Sequence, residues 1–303
     1  MIVPGSIARS MLSSCILVLS HQKGSCVLDL SVIVPVRNAE RLIEECLASI
    51  VRAQPREIIV VDGLSTDRTR EIAQRYPVRI LSDEGRGVAA ARVIGAQAAT
   101  SPVVALIDVD IVLPDGALAQ ILKEFKAGGY TALQAGLHSV SGSGYWGQAL
   151  VQHHNYGRSK NWPGVMATIF DRAVLLKHGF DQAFLSGEDI ELRWRLRQAG
   201  AKLGVSKHTV VTHRFEDTWE FAKGQWLADG EGLARMVVKH GLRGKILLGL
   251  PLAGAGRGIL LSLMRREPKW IPYWLCYLVG NYIGMLNVFA ERLRQRATKV
   301  ATG

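Results

Sequence analysis

The chain has 303 residues, enough for one large α/β domain and an appendage. Its formal net charge of +11 is concentrated in a tail: residues 1–234 hold 25 Lys/Arg against 24 Asp/Glu, whereas residues 235–303 hold 12 against 2. A near-neutral body with no helix-turn-helix, zinc-finger or RNA-binding signature excludes nucleic acid as the partner, and a basic tail with long apolar runs points to an anionic membrane surface.

The four cysteines, Cys15, Cys26, Cys46 and Cys276, have neither metal nor redox spacing, which fits a reduced cytoplasmic setting. Residues 11–19 resemble a short signal-peptide core behind Arg9, but they lack a basic cluster and a small-x-small cleavage site. Residues 1–28 are therefore expected to be a poorly ordered extension. Residues 30–35, 57–62, 78–81 and 103–108 read as strands, alternating with helices over 42–52, 67–75, 87–99 and 114–126. Such alternation predicts βαβ units and a mostly parallel central sheet. The second half is less regular: strands over 132–137, 165–170 and 209–213, a loop or helix over 142–156, and helices over 188–199 and 218–240.

Three of the early strands end in Pro35, Asp62 and Asp108, residues a purely structural sheet does not need. Asp108 and Asp110 follow an apolar strand one residue apart, so both carboxylates can converge on one point. That point lies beyond a strand's carboxyl end, where ligands of open α/β sheets bind. Two hard oxygen ligands there suit Mg²⁺ or Mn²⁺ carrying a diphosphate, although the same pair also occurs as a solvated turn. A second acidic pair, Glu188-Asp189, opens a helix, where capping and dipole stabilisation account for one acid more readily than for two.

In order along residues 30–232 stand 31–40 (Ser-Val-Ile-Val-Pro-Val-Arg-Asn-Ala-Glu), 59–69 (Ile-Val-Val-Asp-Gly-Leu-Ser-Thr-Asp-Arg-Thr), Gly85-Arg86-Gly87 with Ala91-Arg92, Asp108-Val109-Asp110, and 187–192 (Gly-Glu-Asp-Ile-Glu-Leu). This series resembles a family-2 inverting glycosyltransferase of the GT-A, nucleotide-diphospho-sugar transferase fold. The resemblance implies a nucleotide-sugar donor, UDP-sugar favoured with GDP and dTDP open, a divalent metal, and transfer with inversion.

It assigns donor contacts to the first strand-to-helix turn (Pro35, Arg37, Asn38, Glu40), although Asn38 could equally cap the next helix. It makes Asp62 the base-recognising carboxylate and gives Arg86 or Arg92 a phosphate or ribose contact. Asp108 becomes a ribose- or metal-contacting acid, Asp110 the direct metal ligand and Asp189 the general base, with Glu188 on the acceptor or the helix end. His213 matches a metal-contacting histidine of related enzymes, and His208 competes with it. Trp146, His153, His154 and Trp162 lie where acceptor-contacting loops fall. Ala228-Asp229 stands where processive synthases carry Arg-Trp, which argues for one sugar per binding event.

Residues 246–264 and 271–290 are each about bilayer length. Basic residues before, between and after them conflict with a simple two-span hairpin and favour interfacial or re-entrant helices. The expected organisation is an extension (1–28), a GT-A domain (29–240) and a membrane-associating tail (241–303), acting on a lipid-linked or glycan acceptor in cell-envelope or exopolysaccharide assembly. Two rivals remain. A nucleotidyltransferase of the same fold would carry an early Gly-rich stretch and a Lys, which residues 35–38 lack. A non-catalytic donor-binding scaffold has no need of Asp110 and Asp189.

Overall fold

The computed structural model describes residues 27–157, 163–184 and 186–302. Residues 1–26 of the expected extension 1–28 and Trp162 lie outside them, and Leu28 already belongs to the first strand. Eight strands form one sheet in the order β3-β2-β1-β4-β7-β6-β8-β5: β1 (Leu28–Val36), β2 (Pro55–Asp62), β3 (Arg79–Ser82), β4 (Val103–Ile107), β5 (Ile111–Val112), β6 (Ala132–Val140), β7 (Ala167–Asp171) and β8 (Leu203–Arg214). The first four pair in parallel, with Val36 opposite Asp62 and Asp62 opposite Ser82, so their carboxyl ends line up along one edge. The second half is mixed: β7 runs antiparallel to β4 and β6, while β8 runs parallel to β6 and antiparallel to β5.

The period-2 alternation of the strands divides the core. Leu30, Val32, Val34, Ile58 and Val60 face α1 (Ile43–Arg52) and α4 (Ala117–Gly128). Ile33, Ile59 and Val61 face α3 (Val88–Ala98), α6 (Arg172–His178) and α7 (Glu188–Gln198). The Ala-rich α3 lies close to the sheet because Gly95 passes Ile33, where a Cβ would sit 2.3 Å from Ile33 Cγ2. Between α1 and α3, α2 (Thr69–Ala73) is a single turn. The start of α4 falls three residues after Pro114, since Gly116 takes a left-handed φ of 75°.

Beyond the sheet, α5 (Tyr145–Tyr156), α8 (Trp219–His240) and α10 (Ile271–Thr302) share an aromatic core that includes Trp226 and Tyr273, and α9 (Leu250–Met264) packs on α10. The tail thus docks on α8 almost backbone to backbone. A Cβ on Gly230 would lie 2.0 Å from the Asn281 carbonyl, and one on Gly284 2.2 Å from that of Leu227. Among the described residues one segment, Gly244–Met264, is long and apolar enough to cross a bilayer.

Candidate active site

Arg92, buried on α3, joins the two acidic motifs. Its Nη1 donates to Glu188 Oε1 at 2.5 Å, and its Nη2 to both Asp108 oxygens at 2.9 and 3.1 Å. A guanidinium is suited to this, being planar, permanently charged and able to fork. The bridge draws the end of β4 and the start of α7 to the same side of the sheet, 80 residues apart in the chain. Both Asp108 oxygens are therefore turned to Arg92, and Glu188 faces the same cation.

Asp110 has a different partner. Its Oδ2 lies 3.2 Å from His213 Nε2, and its Oδ1 is buried with no hydrogen-bond partner among the described residues. The cause is β5, two residues that follow Asp110 and pair Ile111 with His213. His213 Nδ1 is held by Ser139 Oγ at 3.3 Å, and the backbone of Ser139 is clasped by the Asn155 side chain. His208 is exposed and away from this pair. Among the described residues no three His, Cys, Asp or Glu side chains converge on one point. An orphaned buried carboxylate oxygen beside an oriented imidazole nevertheless fits Mg²⁺ or Mn²⁺, cations that take only one or two protein ligands and complete their shell with substrate phosphates and water.

Asp189 is the second residue of α7, and Gly187 (φ 74°) begins that helix in contact with Gly232 of α8. Burial first, then the Glu188 charge, pushes the Asp189 carboxyl upward, against the pull of Arg193 and Arg92. Gly164 makes room for it: a Cβ there would stand 3.2 Å from Asp189 Oδ2 and 2.9 Å from Gln134 Oε1. Asp229 on α8 keeps access to solvent, yet the protein packed around it, together with the Asp189 charge, pushes its carboxyl up to about 7.

A cleft of about 260 Å³ reaches Val109, between Asp108 and Asp110, and is lined also by Pro35, Arg37, Gly63, Asp83 and Gly87. The first turn of α3 borders it without a side-chain cap, leaving backbone N–H groups available to an anion. Arg86 is half exposed on the same loop. Asn38 and Glu40 work differently from their expected ligand role. Asn38 Oδ1 accepts from Thr66 N at 2.8 Å, and Glu40 Oε2 from Arg68 N at 3.2 Å, so both fasten the β1–α1 turn to the β2–α2 turn. Asp67 completes this fastening, accepting from Thr69 N and Glu40 N. Asp62 is buried and accepts weakly from Ser65 N at 3.3 and 3.4 Å.

Asp83 is a site residue that the sequence motifs passed over. Its carboxylate accepts from Gly85 N at 2.8 Å and Gly87 N at 3.0 Å, shaping the loop between β3 and α3. An Asp ahead of two closely spaced glycines is an Asx-turn signal that identifies it. Gln134 and Ser139 gave no such signal. Trp146 packs against Trp219 and Trp226 in the aromatic core. His153 meets the Tyr273 hydroxyl at 2.8 Å, with burial and the Arg257 charge lowering it to about 4, while the ring of His154 lies against His213 and Phe215.

The family described as Glycosyl transferase family 2 matches residues 31–182. The chain is 26% identical over 276 residues to the succinoglycan biosynthesis protein ExoA of Rhizobium meliloti, covering 82% of this chain and 83% of that one. It is 26% identical over 230 residues to a pre-mycofactocin glycosyltransferase of Mycobacterium tuberculosis, 70% of this chain and 48% of that protein. In fold it is similar to the mannosyltransferase PcManGT of Pyrobaculum calidifontis, solved with GDP-Man and Mn²⁺: TM-score 0.63, 20% identity, 86% and 88% of the two chains. It is also similar to S. aureus TarS 1-349 solved with UDP-GlcNAc: TM-score 0.53, 17% identity, 88% and 91% covered.

Proposed function

The chain belongs to glycosyl transferase family 2, and we propose that it moves a single sugar, with inversion, from a nucleotide-diphospho-sugar to a hydroxyl of a lipid-linked or glycan acceptor at the cytoplasmic membrane face. Cell-envelope or exopolysaccharide synthesis is the setting that ExoA, a relative over most of its length, supports. The observation that carries the reading is the Arg92 bridge, because it ties Asp108, two residues from Asp110, to Glu188, the chain neighbour of Asp189.

In this reading the nucleotide lies along Pro35, Arg37 and Gly63, with Asp62 behind the base and Asp83 holding the loop that follows. The uncapped α3 N-terminus and Arg86 receive the diphosphate. Asp110 and His213 would hold Mg²⁺ or Mn²⁺, which when bound offsets the charge that develops on the leaving diphosphate. Asp108 and Glu188, both on Arg92, fix the walls of the cleft rather than react. Asp189 accepts the proton of the acceptor hydroxyl as that oxygen bonds to the anomeric carbon. The bond from that carbon to the β-phosphate oxygen breaks from the opposite face, and the nucleoside diphosphate leaves with the bonding pair. A positioned base contributes about 10²–10⁴-fold, and burial and the Glu188 charge make Asp189 a stronger proton acceptor than an ordinary carboxylate.

The tail supports membrane docking in the interface plane. Leu275, Val279, Leu286 and Leu293 of α10 and Leu252, Leu260 and Met264 of α9 are exposed, while Arg265, Arg266 and Lys269 stand in the turn between the helices. The opposite face of α10, with Tyr273, Asn281 and Met285, is buried against the domain and cannot meet lipid.

The test is nucleotide release. Purified protein with Mn²⁺ and a panel of UDP-, GDP- and dTDP-sugars plus lipid extract is expected to liberate nucleoside diphosphate, UDP foremost. Asp189→Asn should lower the rate by at least about 10²-fold with an unchanged thermal midpoint. Folded protein that releases nucleotide from no donor would favour a scaffold, and pyrophosphate release from a nucleoside triphosphate and a sugar phosphate would favour a nucleotidyltransferase.

A further inference from the structure

A second opening, of about 390 Å³, lies along α7 and shares no lining residue with the nucleotide cleft. It begins at Ile190, the chain neighbour of Asp189, and passes between α7 and α8 over Trp194 and Met236. It is closed by Leu247 and Leu250, where the tail begins. Its walls are hydrocarbon except along α7, which contributes Arg193, Arg197 and Gln198. Arg193 and Arg197 follow Asp189 by four and eight residues, so they stand on its helical face about 6 and 12 Å further along. The Arg193 guanidinium also donates to the Pro163 carbonyl at 3.2 Å, which fixes it at the junction of the acidic site and the groove. At the other end the groove continues into the exposed apolar surface of the tail, where Ile246 is 78% and Leu252 61% exposed.

A groove of this size that starts one residue from the proposed base, carries cations along one wall and opens into the apolar surface of the tail has a specific complement. We infer that it receives the hydrocarbon chain of a lipid-phosphate acceptor, with the phosphate on Arg193 and Arg197 and the reacting hydroxyl presented to Asp189. The inference rests on the transferase reading and deepens it by naming the acceptor class: an acyl or isoprenoid lipid carrying phosphate between its chain and its hydroxyl. Charge complementarity selects this occupant over a neutral glycolipid, and continuity with the tail selects it over a soluble glycan.

Binding of alkyl phosphates, measured without turnover, reads the groove separately from the transferase reaction, which nucleotide release by the wild type reports on its own. Each methylene taken from water adds about fourfold in affinity. Lengthening the probe from octyl to dodecyl phosphate, both below micelle formation, is therefore expected to tighten binding by roughly 10²-fold. A diazirine-bearing dodecyl phosphate should crosslink to Trp194, Met236 or Leu247. Met236→Trp, which fills the groove, and Leu250→Glu, which places a carboxylate at its half-exposed mouth, should each abolish the chain-length dependence and the crosslink. Arg197→Gln should weaken dodecyl phosphate more than dodecanol. Crosslinks confined to the Leu275–Val279–Leu286 face of α10, or the same chain-length dependence in folded Leu250→Glu, would overturn the inference. Displacement by inorganic phosphate as effective as by dodecyl phosphate would reduce the site to an anion site and overturn the lipid assignment.

Discussion

Arg92 and Glu188 are joined at 2.5 Å although 96 residues separate them, and the same guanidinium holds Asp108 with its other nitrogen. One buried cation thus balances one carboxylate from each acidic motif, leaving Asp110 and Asp189 as the members free to act on ligands. Removing it would strand two carboxylates at the junction of β4 and α7. Arg92→Met is expected to destabilise the fold by about 3–5 kcal/mol, the cost of breaking a buried pair from one side. Arg92→Lys keeps the charge and loses the fork, so it should fall between the two. Urea unfolding of the three proteins checks the order; a fully stable Arg92→Met would show that the bridge is dispensable.

The Ser139–His213–Asp110 chain predicts how metal use depends on its outer member. Ser139 Oγ orients the imidazole from behind, without contact with the cation site itself. Loss of such a partner typically costs 10–100-fold in metal affinity. Ser139→Ala should accordingly raise the Mn²⁺ concentration for half-maximal nucleotide release by about 10–100-fold, with the rate restored at saturating metal. His213→Ala should not be restored. An unaltered Mn²⁺ titration in Ser139→Ala would remove the histidine from the metal site.

The parts of this arrangement that sequence made legible are those with local signals. Residues 30–35 and 57–62 are apolar runs bounded by turn residues, and they appear as β1 and β2 at nearly those limits. The Asp-x-Asp and Glu-Asp pairs are identifiable because each sits at the end of a periodic element. The partner choices are not local. Nothing in the chain near Arg92 indicates that it serves two carboxylates rather than a donor phosphate. The two-residue β5, too short for any periodic pattern, decides that His213 and not His208 meets Asp110. Residues 142–156 lacked a clear helical stripe because α5 is covered on several sides, by β6, α8 and the tail. Asp229, visible in sequence only as a departure from the Arg-Trp box, acquires meaning through its nearness to Asp189.

That nearness has a consequence for pH. Asp229 is raised from an ordinary carboxyl value to about 7, so between roughly pH 4 and 7 the folded chain binds a proton that the unfolded chain has released. Stability contributed by this group is therefore greatest below pH 4, falls as pH rises, and is lowest above 7. Asp229→Asn, which cannot ionise, should be more stable than wild type at pH 8, by no more than about 1 kcal/mol because solvent screens so exposed a group, with the advantage shrinking toward pH 4. Thermal midpoints of the two proteins at pH 5 and pH 8 measure it. A gap that does not change with pH would mean that Asp229 titrates as an ordinary carboxyl.

Two glycines of α8 separate packing from propensity. A methyl added to Gly224 would have no neighbour within 4 Å, whereas one on Gly230 would meet the Asn281 carbonyl at 2.0 Å. Gly224→Ala should stabilise by about 0.5–1 kcal/mol through helix propensity alone. Gly230→Ala should destabilise by about 1–3 kcal/mol through overpacking and loosen the tail. Unfolding curves give the two signs, and proteolysis within residues 265–270 gives the loosening. Equal effects from both substitutions would mean that α10 does not dock on α8 at this distance.

The docked tail also determines how the chain can meet a bilayer. With Tyr273 and Met285 committed to the domain, only the Leu275, Val279, Leu286 side of α10 can enter lipid, and the entire catalytic domain stays on the same side. Attachment then depends on two separable forces: apolar insertion along α9 and α10, and attraction of Arg265, Arg266 and Lys269 to anionic head groups. At about 1 kcal/mol per basic residue near the surface, replacing all three with Gln should weaken binding to phosphatidylglycerol vesicles by roughly 10²-fold. It should leave binding to zwitterionic vesicles nearly unchanged. Val279→Glu with Leu286→Glu should weaken both, because both vesicle types offer the same hydrocarbon. Added salt should reproduce the first pattern and not the second, since screening acts on the charges alone. A tail that crossed the bilayer would instead resist release by salt or by either set of substitutions, and sedimentation with the two vesicle types distinguishes these cases directly.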